Sequence, residues 1–138
     1  MALNEAKLDI DPGEQNLSGL NLRQVLDAHT AWKFRLQQVL DGNSTEEMEV
    51  EIVSQDNRCI LGKWLYSEGK KLYGHLPEYE SIRTAHAEFH LCAGQVLMAH
   101  QDGDVAKASQ ILHLQFRTAS NKNQFALISL FNAARTKK

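Results

Sequence analysis

The chain has 138 residues, with 15 Lys and Arg against 17 Asp and Glu, a net charge of −2 and 43% hydrophobic residues, which fits one folded core rather than a disordered chain. The charge balance lacks the basic footprint of a nucleic-acid binder, so no nucleic-acid partner is expected. The longest mainly apolar run, residues 125–131, contains a serine and is far short of the roughly 20 residues of a membrane span. With no membrane segment and neither a basic start nor an apolar signal core at the N-terminus, a cytoplasmic protein is expected, its Cys59 and Cys92 serving as free thiols or metal ligands rather than as a disulfide.

Residues 1–19 are polar, carry Pro12-Gly13 and Ser18-Gly19 and show no sustained periodicity. They read as an N-terminal extension to a domain that occupies 20–138. From Leu20 to Leu40 the apolar positions Leu22, Val25, Leu26, Trp32, Leu36, Val39 and Leu40 recur at threes and fours, as on one helix face, and His29 shares that face. Asp41-Gly42-Asn43 ends the helix, and Ser44-Thr45-Glu46-Glu47 has the spacing of a capping box, predicting a short helix through Met48 to Ile52. Cys59 to about Ser67 predicts another short helix, ended by Glu68-Gly69, with a loop holding Gly74, His75 and Pro77 after it.

From Glu78 to about His100, Tyr79, Ile82, Phe89, Ala93, Val96 and Leu97 predict a long helix whose stripe includes His86 and His90. Asp104 is a candidate N-cap for a last helix reaching Ala134, with Val105, Ala108, Ile111, Leu112, Phe116, Ala119, Ala126, Leu127 and Leu130 inward and a weak middle at Ser120 to Gln124. The sum is an all-α protein, an antiparallel four-helix-type bundle with an additional short helix that carries Cys59.

His86 and His90 are four apart, so on a helix they diverge by only about 40° and can face one centre. That alone is half a tetrahedral site, and two partly buried histidines on a helix seam explain it as well. His29 on an apolar face needs a hydrogen-bond partner or a metal, and Cys59 opens a short helix, where the helix dipole favours a thiolate. Nitrogen and sulfur donors of this kind suit Zn²⁺ better than Mg²⁺ or Ca²⁺. Asp27 and Asp56 are candidate acceptors for a ligand imidazole, and Trp32 and Trp64 are candidates to line the pocket. Cys92 turns about 200° from His90 and reads as a small core residue, while His75, His100 and His113 read as surface or capping groups.

H-T-A-W at 29–32, C-I-L-G-K-W at 59–64, L-P-E-Y-E at 76–80 and H-A-E-F-H at 86–90 together resemble the chemoreceptor zinc-binding domain, over roughly residues 20–130. The resemblance implies Zn²⁺ held by His29, Cys59, His86 and His90, a helical bundle that often forms homodimers, and a place in bacterial chemoreceptor or diguanylate cyclase signalling, where zinc occupancy or oxidation of Cys59 changes output. The zinc domain nearly fills the 138 residues, so action in trans on a separate partner is expected. A constitutive structural-zinc adaptor for protein–protein interaction is the alternative. No enzyme is expected: H-A-E-F-H puts Glu88 two residues after His86, turned away from the metal, unlike the base of H-E-x-x-H proteases, and four protein ligands close the position a catalytic zinc keeps open for water.

Overall fold

Asn21 fixes where the first long helix begins. Its Oδ1 accepts the Gln24 N–H at 2.8 Å, an N-cap contact that satisfies one of the free N–H groups of the first turn. Helix α1 (Leu22–Leu40) then runs to Gly42, whose φ of +77° lets the Asn43 N–H reach back to Gln38 O at 2.9 Å and close the end. The computed structural model describes residues 16–136, so the expected extension over 1–19 lies outside the described residues as far as 15. Its last residues are ordered: β1 (Asn16–Leu17) and β2 (Leu20–Asn21) pair antiparallel across Ser18 and Gly19, both at positive φ, the signature of a two-residue hairpin turn. The indole Nε1–H of Trp64 donates to Ser18 O at 3.0 Å, which ties the hairpin to the bundle.

Four short and long elements follow. These are α2 (Val50–Val53), α3 (Ile60–Leu65), α4 (Glu68–Tyr73) and α5 (Pro77–Gln101). The Ser44 box opens no helix: Ser44 Oγ accepts the N–H of Glu46, two residues on, in a tight local turn instead of that of Glu47 as a capping box requires, Arg35 takes the Glu46 carboxylate at 2.7 to 3.2 Å, and the helix begins only at Val50. Helix α4 stands where a loop is expected. Gly69 does not end a helix there but makes room for an indole, since a Cβ would come 2.6 Å from the Trp64 ring. The last stretch comprises α6 (Val105–Ile111), a π-helical segment at Leu112–Phe116 and α7 (Arg117–Thr136). The irregularity falls there and not at Ser120 to Gln124, which is helical, and no glycine or proline in 112–116 marks it. Val105, expected inward, is exposed.

The architecture is an all-α bundle, with the cysteine on a short additional helix. Helices α1 and α5 run in the same direction: Leu22, Val25 and Leu26 share a cluster with Tyr79 and Ile82, whereas Leu36 shares one with Phe89, Ala93 and Leu97. Helix α7 returns antiparallel, bringing Leu127 and Leu130 beside Ile82 and placing the segment before it so that Phe116 meets Phe89, with ring centroids 4.9 Å apart. Two parallel neighbours need a crossing connection, and residues 41–76 supply it. Among the described residues no helix is long and apolar enough to cross a membrane.

The core is thus two apolar clusters stacked along the bundle, one holding Leu20 to Leu26 with Leu127, Leu130 and Phe131, the other Leu36 with Phe89, Val96, Ile111, Leu112 and Phe116. Leu127 has no exposed surface, and truncating it leaves a cavity that the helices on either side can only partly fill. Leu127→Ala is expected to cost about 2 to 5 kcal/mol, read as a lower urea midpoint with an unchanged slope.

Candidate metal centre

Between the two clusters lies a polar layer. His29 stands on α1 between Leu26 and Leu36, and His86 and His90 flank Phe89 on α5; all three imidazoles are buried. Their spacing does what the helical period requires, since residues four apart share a face. Cys59 enters from the side as the N-cap of α3, its Sγ accepting the Gly62 N–H at 3.4 Å. The C-x-x-G spacing has a steric cause: a Cβ on residue 62 would sit 1.8 Å from Asp56 O, so only glycine lets the 56–59 turn fold onto α3 and aim the sulfur inward.

Donor atoms from these four residues lie within 4.8 Å of one another. Cys59 Sγ is 3.2 Å from His86 Nε2 and 3.9 Å from His29 Nε2, and His86 Nε2 is 3.2 Å from His90 Nε2. A tetrahedral Zn²⁺ with bonds of about 2.0 and 2.3 Å to nitrogen and sulfur would set these pairs at about 3.3 and 3.6 Å. The donor set fits such an ion. Burial holds His29 near a pKa of about 4, with its contact to Val25 O opposing the shift and the His90 charge adding to it. Burial also pushes His86 far down, helped by His90 and His29, and lowers His90. The imidazoles are therefore neutral at pH 7, with a lone pair each to give. Burial pushes the Cys59 thiol up, against the backbone N–H of Gly62, so ligation must displace its proton.

Two of the imidazoles are oriented from behind by backbone. His29 Nδ1–H donates to Val25 O at 2.9 Å and His90 Nδ1–H to Val53 O at 3.1 Å, which fixes the tautomer that presents Nε2 to the centre. Gly94 helps hold the Val53 segment close, because a Cβ there would meet Ser54 Oγ at 1.9 Å. His86 Nδ1 has no hydrogen-bond partner, and neither has Oδ1 of the buried Asn123. Asn123 lies in the polar stretch of α7 and went unrecognised in the sequence; the only signal was an amide at an inward helical position.

The carboxylates are placed otherwise than the sequence suggests. Asp27, two residues from His29, points outward and pairs with Arg23 at 3.6 Å, because the helix turns it about 200° from the imidazole. Asp56 accepts the Tyr66 hydroxyl and no imidazole; it acts on Cys59 and His90 only through its charge. Of the two tryptophans, Trp32 stands edge-on to His90 at 6.2 Å and carries Arg35 over its ring at 4.0 Å. Trp64 packs instead among Gly69, Tyr73 and the hairpin. Cys92 is buried as a free thiol in the cluster of Leu36 and Phe89.

Trp32, Arg35, Glu46, Met48, Cys59 and His90 border a cleft of about 320 Å³ between α1 and the 46–58 segment. Cys59, unlike the three histidines, is only half-buried. The centre is thus reachable from solvent on the cysteine side.

The family model described as the chemoreceptor zinc-binding domain matches residues 29–97, half of the chain, and that span contains all four donors. No curated protein and no solved structure matches the chain. The steric role of Gly62 can be tested alone. Gly62→Ala is expected to keep the long helices by circular dichroism and to weaken zinc at least tenfold in a chelator competition, whereas Asp27→Asn leaves the affinity unchanged.

Proposed function

Because the chain belongs to the chemoreceptor zinc-binding domain family, with Zn²⁺ as its metal, we propose that His29, Cys59, His86 and His90 hold one ion and that the domain is a sensory module acting on a separate signalling partner. The observation that carries this reading is the convergence of Nε2 from three neutral, buried histidines on the sulfur of half-buried Cys59. Bound there, the ion would cross-link α1, α3 and α5 and hold Cys59 as thiolate.

Cys59 is the responsive ligand in this account. It stands on a six-residue helix at the rim of the cleft, while the histidines stand on long helices fixed by the core. A thiolate attacks hydrogen peroxide to form an S–O bond as the O–O bond breaks and hydroxide leaves, and the sulfenic acid is a poorer donor than the thiolate. Loss of that donor releases the N-terminal end of α3 and the 56–59 turn from the centre. The chain's four donors leave no open coordination position, which supports a regulatory rather than a catalytic role.

Two measurements test this. Zinc-loaded protein is expected to carry about one equivalent of metal, to exchange it with a chelator at native pH while keeping its helicity, and to lose it in a His86→Ala, His90→Ala double variant; loss of helicity together with the metal would favour the structural adaptor instead. Treatment with peroxide is expected to release zinc with oxidation mapping to Cys59. Modification of Cys92 or the methionines first, with zinc retained, would remove the redox role.

The homodimer expected for such domains is supported by apolar side chains left exposed along α5 and the last helical stretch: Leu91, Met98, Leu114 and Phe125, each more than half exposed. Light scattering is expected to give about twice the 15.6 kDa chain mass at tens of micromolar. A single-chain mass would count against it.

A further inference from the structure

Among the described residues the buried polar side chains are His29, His86, His90 and Asn123. Three of them are the proposed ligands, and the fourth belongs to the same layer. On α1 the layer lies between Leu26 and Leu36, on α5 between Ile82 and Ala93, and on α7 Asn123 lies between Ala119 and Leu127. The register of α5 against α7 puts Asn123 level with His86: Ala85 and Glu88 share a surface cleft with Lys122, Phe125 and Ala126, and His86 and Asn123 are the buried neighbours of those residues.

Burying an amide or an imidazole N–H without a partner costs more than a hydrogen bond returns, so such groups are normally paired. His86 Nδ1 and Asn123 Oδ1 are both unpaired, one a donor in the tautomer that turns Nε2 to the centre, the other an acceptor. His29 and His90 each have a backbone carbonyl in this role; His86 has none. The terminal torsion of an asparagine is broad, so its amide can turn without disturbing the helix.

We propose that Asn123 is the positioning residue for His86, its side-chain oxygen accepting the Nδ1–H once the metal holds the imidazole. This rests on the ligand assignment above. It gives α7, which supplies no ligand, a direct hold on the site, and makes the centre answerable to all three long helices. A metal-bound imidazole is a stronger N–H donor than a free one, so the bond and the coordination reinforce each other.

The test compares zinc-loaded wild type with Asn123→Leu and Asn123→Asp. Asn123→Leu keeps the branched heavy-atom skeleton and removes the acceptor; it is expected to keep wild-type helicity and to bind zinc 10- to 100-fold more weakly in chelator competition. Asn123→Asp keeps the acceptor and is expected to bind at least as tightly as wild type. In ¹⁵N-labelled wild type the His86 Nδ1–H should be protected from exchange and show a cross-relaxation peak to the Asn123 side chain, a signature that a merely structural amide would not give and that stands even if a variant fails to fold. Wild-type affinity in Asn123→Leu, or an unprotected His86 Nδ1–H in loaded wild type, would overturn the proposal while leaving the ligand set intact. A wild type that takes up no zinc would instead overturn the ligand assignment.

Discussion

The described structure is arranged around one costly act, the burial of three imidazoles, with a half-buried thiol beside them, between two apolar clusters. Unpaired, such groups oppose folding by the full loss of their hydration. The structure offsets that cost in three ways: burial keeps the imidazoles uncharged, backbone carbonyls take the outer N–H of His29 and His90, and the four inner donors turn toward one another at distances that suit a single tetrahedral ion. The polar layer is therefore a liability to the metal-free chain, and an ion bound there would turn it into a cross-link.

The connection over residues 41–76 follows from the same constraint. Parallel α1 and α5 bring His29 beside His86 and His90, and the chain must then cross the bundle between them. That crossing is used to deliver the fourth donor: the 56–59 turn folds onto Gly62, Cys59 caps α3, and the Tyr79 hydroxyl donates to Leu65 O to fasten the end of α3 to α5. Trp64 fastens its other side to the hairpin through Ser18 O. The cysteine consequently stands at the N-terminal end of a short helix whose Leu61, Trp64 and Leu65 join the core, beside an open cleft, while the histidines stand within the long helices.

The long helices and the burial of three histidines were legible because both depend on the 3.6-residue period: the stripe that buries Val25, Leu26 and Leu36 also buries His29, and the one that buries Ile82, Phe89 and Ala93 also buries His86 and His90. Features set by tertiary contacts were not legible. Asp27 looked close to His29 in sequence and is turned away by the helix; Gly69 looked like a terminator and is a seat for Trp64. The Ser44 box failed because Ser44 Oγ turns to the Glu46 N–H, two residues on, while Arg35 draws Glu46 to α1 across eleven residues of sequence. The direction of α5 relative to α1, the π segment at Leu112–Phe116 and the burial of Asn123 likewise depend on which helix lies opposite, and no local pattern encodes that.

X-ray absorption at the zinc edge measures directly which donors hold the metal ion. Zinc-loaded protein is expected to show a single sulfur at about 2.3 Å and three imidazole nitrogens at about 2.0 Å, with the outer-ring scattering of three histidines. Two sulfurs, or an oxygen ligand in place of an imidazole, would contradict this donor set.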